Sequence, residues 1–360
     1  MFGKSNIKLR MGLAVLVLCT ALFMTALPAM ANYTADKPLN EYKSGAVNGS
    51  MNYTIGDSYY SGKLWNDNDD NPATNDGDSY MVNLTPTLPA GALNYSARLY
   101  VYWTWSYVND SNSAYNTGVN ATMNVTFNGT LLTLDRAYND TKNDIAGNAE
   151  SYNYPSGTYA YNVTAYVDAT QTSNTYVVNV TNTYPYSPSG GTPGDDRQTF
   201  AVQGVGLLTL YNQSGSNATR YYWIAEGCDL TYVKYDNTTT YSWINDITPD
   251  DATALANFTG VSTSGVTSAD LITVVPSGDT QYNRLYFNYF FNYPAWGNIK
   301  YWDGLWNANP YADLSWTTTD VKDNLKDGTN YVGFQNGLYT MLPDNSERQM
   351  QAANAFLLVK

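Results

Sequence analysis

Val119-Asn120-Ala121-Thr122-Met123-Asn124-Val125-Thr126-Phe127-Asn128-Gly129-Thr130 alternates apolar and polar residues with period two. In an extended strand this places Ala121, Met123, Val125 and Phe127 on one face and Asn120, Asn124 and Asn128 on the other. A helix would scatter both sets around its axis. Asn128-Gly129 is then a turn signal at the strand end. Similar runs recur at Arg98–Tyr107, Thr175–Thr181, Phe200–Tyr211, Arg220–Ala225, Leu271–Val275, Arg284–Phe291 and Ala355–Val359, separated by Gly, Pro, Asn and Asp clusters. The one helical turn expected in the second half is Asp320–Lys326, ended by Gly328. The fold class is therefore all-β, a sandwich with a jelly-roll-like character.

Each polar asparagine of the opening stretch begins an Asn-x-Ser/Thr acceptor sequence. The same pattern occurs at Asn32, Asn48, Asn52, Asn83, Asn94, Asn109, Asn120, Asn124, Asn128, Asn139, Asn162, Asn179, Asn212, Asn217, Asn237 and Asn257. None of the asparagines after position 257 is in one. Asn162 opposes Tyr161 and Val163, and Asn179 opposes Val178 and Val180, so strand geometry exposes these sites too. Glycosylation is expected, chiefly in the first two thirds of the chain, on condition that the chain is exported. The alternative is that Asn and Thr simply serve as solvent-face residues.

The N-terminus predicts export. Lys4, Lys8 and Arg10 precede the apolar run Met11–Leu27, and Ala29-Met30-Ala31 supplies a small-x-small cleavage pattern, so Met1–Ala31 reads as a signal peptide. No transmembrane segment is expected in the mature chain, which is placed outside the cell or at its surface. Losing those three cations takes the formal charge from -13 to -16, which repels nucleic acid and suits divalent cations. Cys228 alone survives processing, so no intramolecular disulfide forms. Histidine is absent, which removes the usual base of acyl-transfer triads and the commonest zinc ligand.

Internal similarity predicts a duplication. Arg98-Leu99-Tyr100-Val101 is echoed by Arg284-Leu285-Tyr286-Phe287, and Val125–Gly129 by Ile299–Gly304. Asn162-Val163 with Val167 is matched by Asp320-Val321 with Leu325, and Asp196-Arg197-Gln198 before Leu207-Leu208 by Glu347-Arg348-Gln349 before Leu357-Leu358. Two related β-sandwich domains are expected, 32–225 with long loops and a shorter, aromatic-rich 226–360.

Three stretches are candidate sites. Asp67, Asp69, Asn71 and Asp78 take positions one, three, five and twelve of a Ca²⁺ loop, although Pro72 replaces the usual glycine and Asp the final Glu; a solvated acidic turn is the alternative. Glu226-Gly227-Cys228-Asp229 falls at the expected domain boundary and reads as a buried turn with Cys228 as filler. Two acids for glycoside hydrolysis would have to come from facing elements. Trp296, Trp302, Trp306 and Trp316 form a cluster suited to stacking on sugars, to a protein interface, or to a core.

The runs Ala97–Trp105, Val125–Gly129 and Tyr222–Asp229, with Leu285–Asn288 and Ala355–Val359, resemble a family of secreted archaeal proteins, the "domain of unknown function 3344" family of methanogen surface proteins. The resemblance implies an extracellular or envelope setting and no activity. The expected role is a non-enzymatic surface glycoprotein, structural or adhesive. Its expected partners are envelope proteins, polysaccharide or copies of itself, with no nucleic acid. The alternative is a carbohydrate-binding module for envelope or host polysaccharide.

Overall fold

In the computed structural model, residues 34–65, 78–108, 117–141, 154–168, 170, 172–184, 198–216, 218–233, 235–236, 242–243, 248–278, 282–288, 301–308, 313–338 and 348–360 are described. The expected signal peptide, Met1–Ala31, lies outside them. In chain order the strands are β1 (Asn40–Val47), β2 (Gly49–Thr54), β3 (Lys63–Trp65), β4 (Ser79–Leu84), β5 (Ala92–Val108) and β6 (Thr117–Gly118). Next come β7 (Met123–Phe127), β8 (Thr130–Leu131), β9 (Arg136–Asp140), β10 (Ser156–Asn162), β11 (Tyr176–Asn182) and β12 (Gln198–Gln213). The second half holds β13 (Arg220–Val233), β14 (Tyr235–Asp236), β15 (Ser242–Trp243), β16 (Thr253–Val261) and β17 (Ala269–Pro276). It ends with β18 (Asn283–Phe287), β19 (Tyr301–Asp303), β20 (Leu314–Asp320), β21 (Gly328–Asn336) and β22 (Arg348–Val359). The expected helical turn is a short 3-10 turn, Lys322–Asn324.

Apart from the ribbon β14-β15, the strands form four open antiparallel sheets. Sheet I has the order β4-β11-β7-β8. Sheet II is β2-β12-β5-β10-β9, with β3 on β12 and β6 on β5. Sheet III is β1-β13-β22-β17-β20, and sheet IV is β16-β21-β18-β19. Three cores separate these layers. Val125, Phe127 and Val178 of sheet I meet Leu99, Val101 and Trp103 of sheet II. Tyr100, Tyr102 and Leu208 on the other face of sheet II meet Tyr222, Ile224 and Phe356 of sheet III. Ala225, Leu271 and Leu357 of sheet III meet Phe258, Leu285 and Phe334 of sheet IV.

The layering explains two kinds of strand pattern. Sheet I packs on one face, so β7 and β11 alternate between core and outward-facing residues. Sheets II and III are covered on both faces, so β12 and β13 are buried almost without interruption and lack alternation.

The topology repeats. Sheet I with β2-β12-β5-β10 has the same strand order as sheet IV with β13-β22-β17-β20. The amide of Val163 donates to Ala97 O at 3.1 Å, and that of Val321 donates to Ala269 O at 2.9 Å. Asn128 and Asn288 both adopt positive φ. Asn128 Oδ1 accepts the amide of Val177, and Asn288 Oδ1 that of Tyr331, each at 2.8 Å. Two of the four expected sequence echoes therefore fall on equivalent elements, those of the 3-10 turns Thr164–Tyr166 and Lys322–Asn324 and of β12 with β22. The other two are corrected. The counterpart of β5 is β17, not the Arg284 strand β18, and the counterpart of β7 is β18, not Ile299–Gly304.

The boundary expected at 225/226 is also corrected, because it cuts through β13. The strand runs unbroken from Arg220 to Val233. In addition β1, from the N-terminal end, pairs with β13 in sheet III. Tyr33–Lys360 is one compact unit.

Candidate functional site

Glu226-Gly227-Cys228-Asp229 is not a turn between domains but a bulge within β13. Glu226 is opposite Asn354 while Asp229 is opposite Ala352, so β13 carries one residue more than β22 there. A regular strand would point Glu226 and Asp229 to opposite faces. The extra residue turns both toward β9, where Glu226 meets Tyr138 and Asp229 meets Asp140. Cys228 is buried as expected, and burial, then the Asp140 and Asp229 carboxylates, push its thiol well above the ordinary range. Gly227 is required by the incoming chain. A Cβ there would lie 2.9 Å from Leu39 Cγ and 3.1 Å from Leu39 Cα. Gly227→Ala is expected to lower stability by about 1–3 kcal/mol, read as a lower urea midpoint.

Glu226 lies in the seam between sheets II and III and is fully buried. Its Oε1 accepts Arg98 Nε and the Tyr100 hydroxyl, the latter at 2.7 Å. Oε2 accepts Arg98 Nη2 at 2.9 Å and the Tyr138 hydroxyl at 3.0 Å. Arg98 Nη1 donates to Asp135 Oδ2 at 2.5 Å and to the Tyr42 hydroxyl at 3.1 Å, with its guanidinium 3.7 Å from the Tyr42 ring centre. Each oxygen of Glu226 thus receives two donors. The seam continues through Tyr102, whose hydroxyl donates to Asn354 Oδ1 at 2.7 Å and lies 3.0 Å from that of Tyr53.

Around Asp229 the balance differs. The segment before β1 docks on β13 just past the bulge, where Thr34 Oγ1 accepts the Tyr232 amide at 2.8 Å and the Ala35 amide donates to Leu230 O at 3.3 Å, and on β16, where the Leu39 amide donates to Leu255 O at 2.8 Å. This docking brings Asp36 beside Asp140 and Asp229, with one carboxylate oxygen of each within 4.8 Å of the others. Asp140 and Asp229 are buried and Asp36 is exposed. Asp140 is well satisfied. Its Oδ1 receives Lys37 Nζ and the Thr141 amide, each at 2.8 Å, and its Oδ2 the Leu230 amide at 2.8 Å. Neither oxygen of Asp229 has a hydrogen-bond partner among the described residues. Burial, then the Asp140 and Asp36 carboxylates, push Asp229 well above the usual carboxylate range; the nearby amides of Lys37 and Asp36 oppose this without reaching hydrogen-bond geometry. Burial and Asp140 likewise raise Asp36, against the pull of Lys37.

The anticipated calcium loop is not this cluster. Asp67, Asp69 and Asn71 lie outside the described residues, and Asp78 is exposed. The tryptophans do not form one surface. Trp306 is fully buried in the core between sheets III and IV, so its reading as a ligand or interface residue is corrected. Trp302 is half-buried against the same core, Trp316 is 38% exposed, and Trp296 lies outside the described residues.

None of the acceptor asparagines whose side chains are described is fully buried. Asn48, Asn83, Asn120, Asn124, Asn128, Asn162 and Asn257 are exposed, and Asn52, Asn139, Asn179 and Asn212 are half-buried. Asn32, Asn109, Asn217 and Asn237 lie outside the described residues, as does the side chain of Asn94. Among the described residues the fully buried asparagines are Asn182, Asn283, Asn330, Asn336 and Asn354, and none begins an acceptor sequence. Cross-strand register places Asn83, Asn124 and Asn179 together on the outer face of sheet I.

Among the described residues no helix is long and apolar enough to cross a membrane. No curated protein matches the chain. Among solved structures, a peptide-N(4)-(N-acetyl-β-D-glucosaminyl)asparagine amidase is 10% identical, with coverage of 88% of this chain and 96% of that one and a TM-score of 0.23. A β-porphyranase of glycoside hydrolase family 86 from the human gut bacterium Bacteroides plebeius is 13% identical, with coverage of 77% and 38% and a TM-score of 0.20. At such TM-scores neither likeness bears on fold or activity. The family described as "Protein of unknown function (DUF3344)" matches residues 32–360. The chain belongs to the DUF3344 family.

Proposed function

We propose that the mature chain is an exported surface glycoprotein with a structural or adhesive, non-enzymatic role, built from two copies of one β-sandwich joined along a polar seam. The observation that carries this reading is the segregation of asparagines. Among the described residues, acceptor asparagines occupy exposed or half-buried positions, whereas buried asparagines stand outside acceptor sequences. Attached glycans would project from the outer face of sheet I and leave all three cores undisturbed. The saturation of Glu226 by Arg98, Tyr100 and Tyr138 supports a non-enzymatic role. An archaeal envelope is the setting that fits the family resemblance.

Glycopeptide mass spectrometry of the native protein tests the reading. Asn124, Asn162 and Asn257 are expected to carry glycans. Asn52, Asn139 and Asn179, whose side-chain oxygens are buried, are expected to be bare. Unmodified peptides throughout, or equal occupancy of both sets, would refute the glycoprotein reading. Recovery of the protein only from the cytosolic fraction would refute the surface location.

Carbohydrate binding is retained as a second reading on one observation. Tyr301 on the edge strand β19 and Tyr331 on the inner strand β21 of sheet IV are exposed, and the Arg284 guanidinium lies 4.0 Å from the Tyr301 ring centre. A defined oligosaccharide bound by the wild type and lost on Tyr301→Ala would favour it.

A further inference from the structure

We propose that Asp36, Asp140 and Asp229 hold one hard divalent cation of the Ca²⁺ class, which fastens the segment before β1 to the seam between sheets II and III. The three ligands come from separate parts of the fold: the incoming segment, the end of β9, and the bulge of β13. Their oxygens already lie within 4.8 Å of one another, a spacing that one ion can bridge. The acidic grouping alone would not establish a site. The independent observation is Asp229, a fully buried carboxylate aimed into the cluster with both oxygens lacking a hydrogen-bond partner among the described residues.

Leaving a carboxylate buried without donors or a counter-charge is costly. The cation at hand, Lys37, does not relieve it, because its Nζ is engaged by Asp140 Oδ1 at 2.8 Å and by Asn139 O at 3.0 Å. Three carboxylates against one ammonium leave a charge deficit that a divalent ion would neutralise. An all-oxygen donor set is the chemistry of hard cations. Asp229 can bind through both oxygens, and the exposed side at Asp36 admits water to complete the six to eight ligands typical of Ca²⁺.

The test is thermal unfolding of the mature chain, stripped with EDTA and titrated with CaCl₂. Wild type is expected to show a midpoint that rises with Ca²⁺, as linkage requires. Asp229→Asn is expected to abolish the rise while unfolding cooperatively. A control with Asp67→Asn and Asp69→Asn is expected to keep it. No rise in the wild type, an unchanged rise in Asp229→Asn, or loss of the rise in the control would each overturn the proposal. If Asp229→Asn fails to fold, Asp36→Asn decides, because that side chain is exposed. Its calcium affinity is expected to fall by about tenfold or more, and an unchanged affinity would overturn the proposal.

Discussion

Glu226→Ala is expected to destabilise the chain by about 3–5 kcal/mol, seen as a lower urea midpoint at unchanged slope. Removing this carboxylate leaves the Arg98 guanidinium, 3% exposed, with Asp135 and Tyr42 as its side-chain partners among the described residues. The hydroxyls of Tyr100 and Tyr138 lose their acceptor in the same step. The penalty arises mainly from the groups left behind, as the appropriate comparison makes clear. Replacing both members, Arg98→Met with Glu226→Leu, removes the stranded charge together with its partner. The double variant is expected to be more stable than Glu226→Ala alone. A Glu226→Ala unfolding free energy within about 1 kcal/mol of wild type would show that water reaches the seam and that the network does not hold the two inner sheets together.

The parts of the fold that were legible in sequence are those with one wet face. Asn124 between Met123 and Val125 announces an outer strand, and β7 and β11 carry that signal. Alternation fails for β12 and β13 because neighbours cover both faces. The long apolar run through Ile224 and Ala225 therefore gave no sign of where a strand ended. Gly227-Cys228 resembled a turn, whereas the glycine admits Leu39 and the extra residue re-aims Asp229. The echoed 3-10 turns were readable because Asn162 and Asp320 each accept the amide two residues on, a local device written in local sequence. Asp36, Asp140 and Asp229 carry no such mark. Each is an ordinary acid in its own neighbourhood, and only the pairing of β1 with β13 and the packing of β9 on β13 bring them together.

Trp306→Ala is the other substitution with a large expected effect, about 3–5 kcal/mol. The indole is stacked on Phe334, ring centres 5.5 Å apart and planes 21° apart, and its Nε1 donates to Thr273 Oγ1 at 3.0 Å. Its backbone is clamped as well, since Asn283 Oδ1 accepts the Trp306 amide at 3.2 Å and Asn283 Nδ2 donates to Trp306 O at 2.7 Å. Alanine would keep the clamp and open a cavity between sheets III and IV, in a core too closely packed to collapse around it. Trp306→Phe should cost less, because it fills most of the space and gives up the Thr273 hydrogen bond. Trp316→Ala is expected to cost about 1 kcal/mol, the edge contact with Tyr53 being its main loss. The contrast separates the two meanings of an aromatic cluster. A tryptophan serving as a sugar platform would leave stability untouched and remove binding, whereas loss of Trp306 should lower the unfolding midpoint whatever ligand is present. A Trp306→Ala variant as stable as wild type would place the indole at the surface and reopen the aromatic stretch as a binding face.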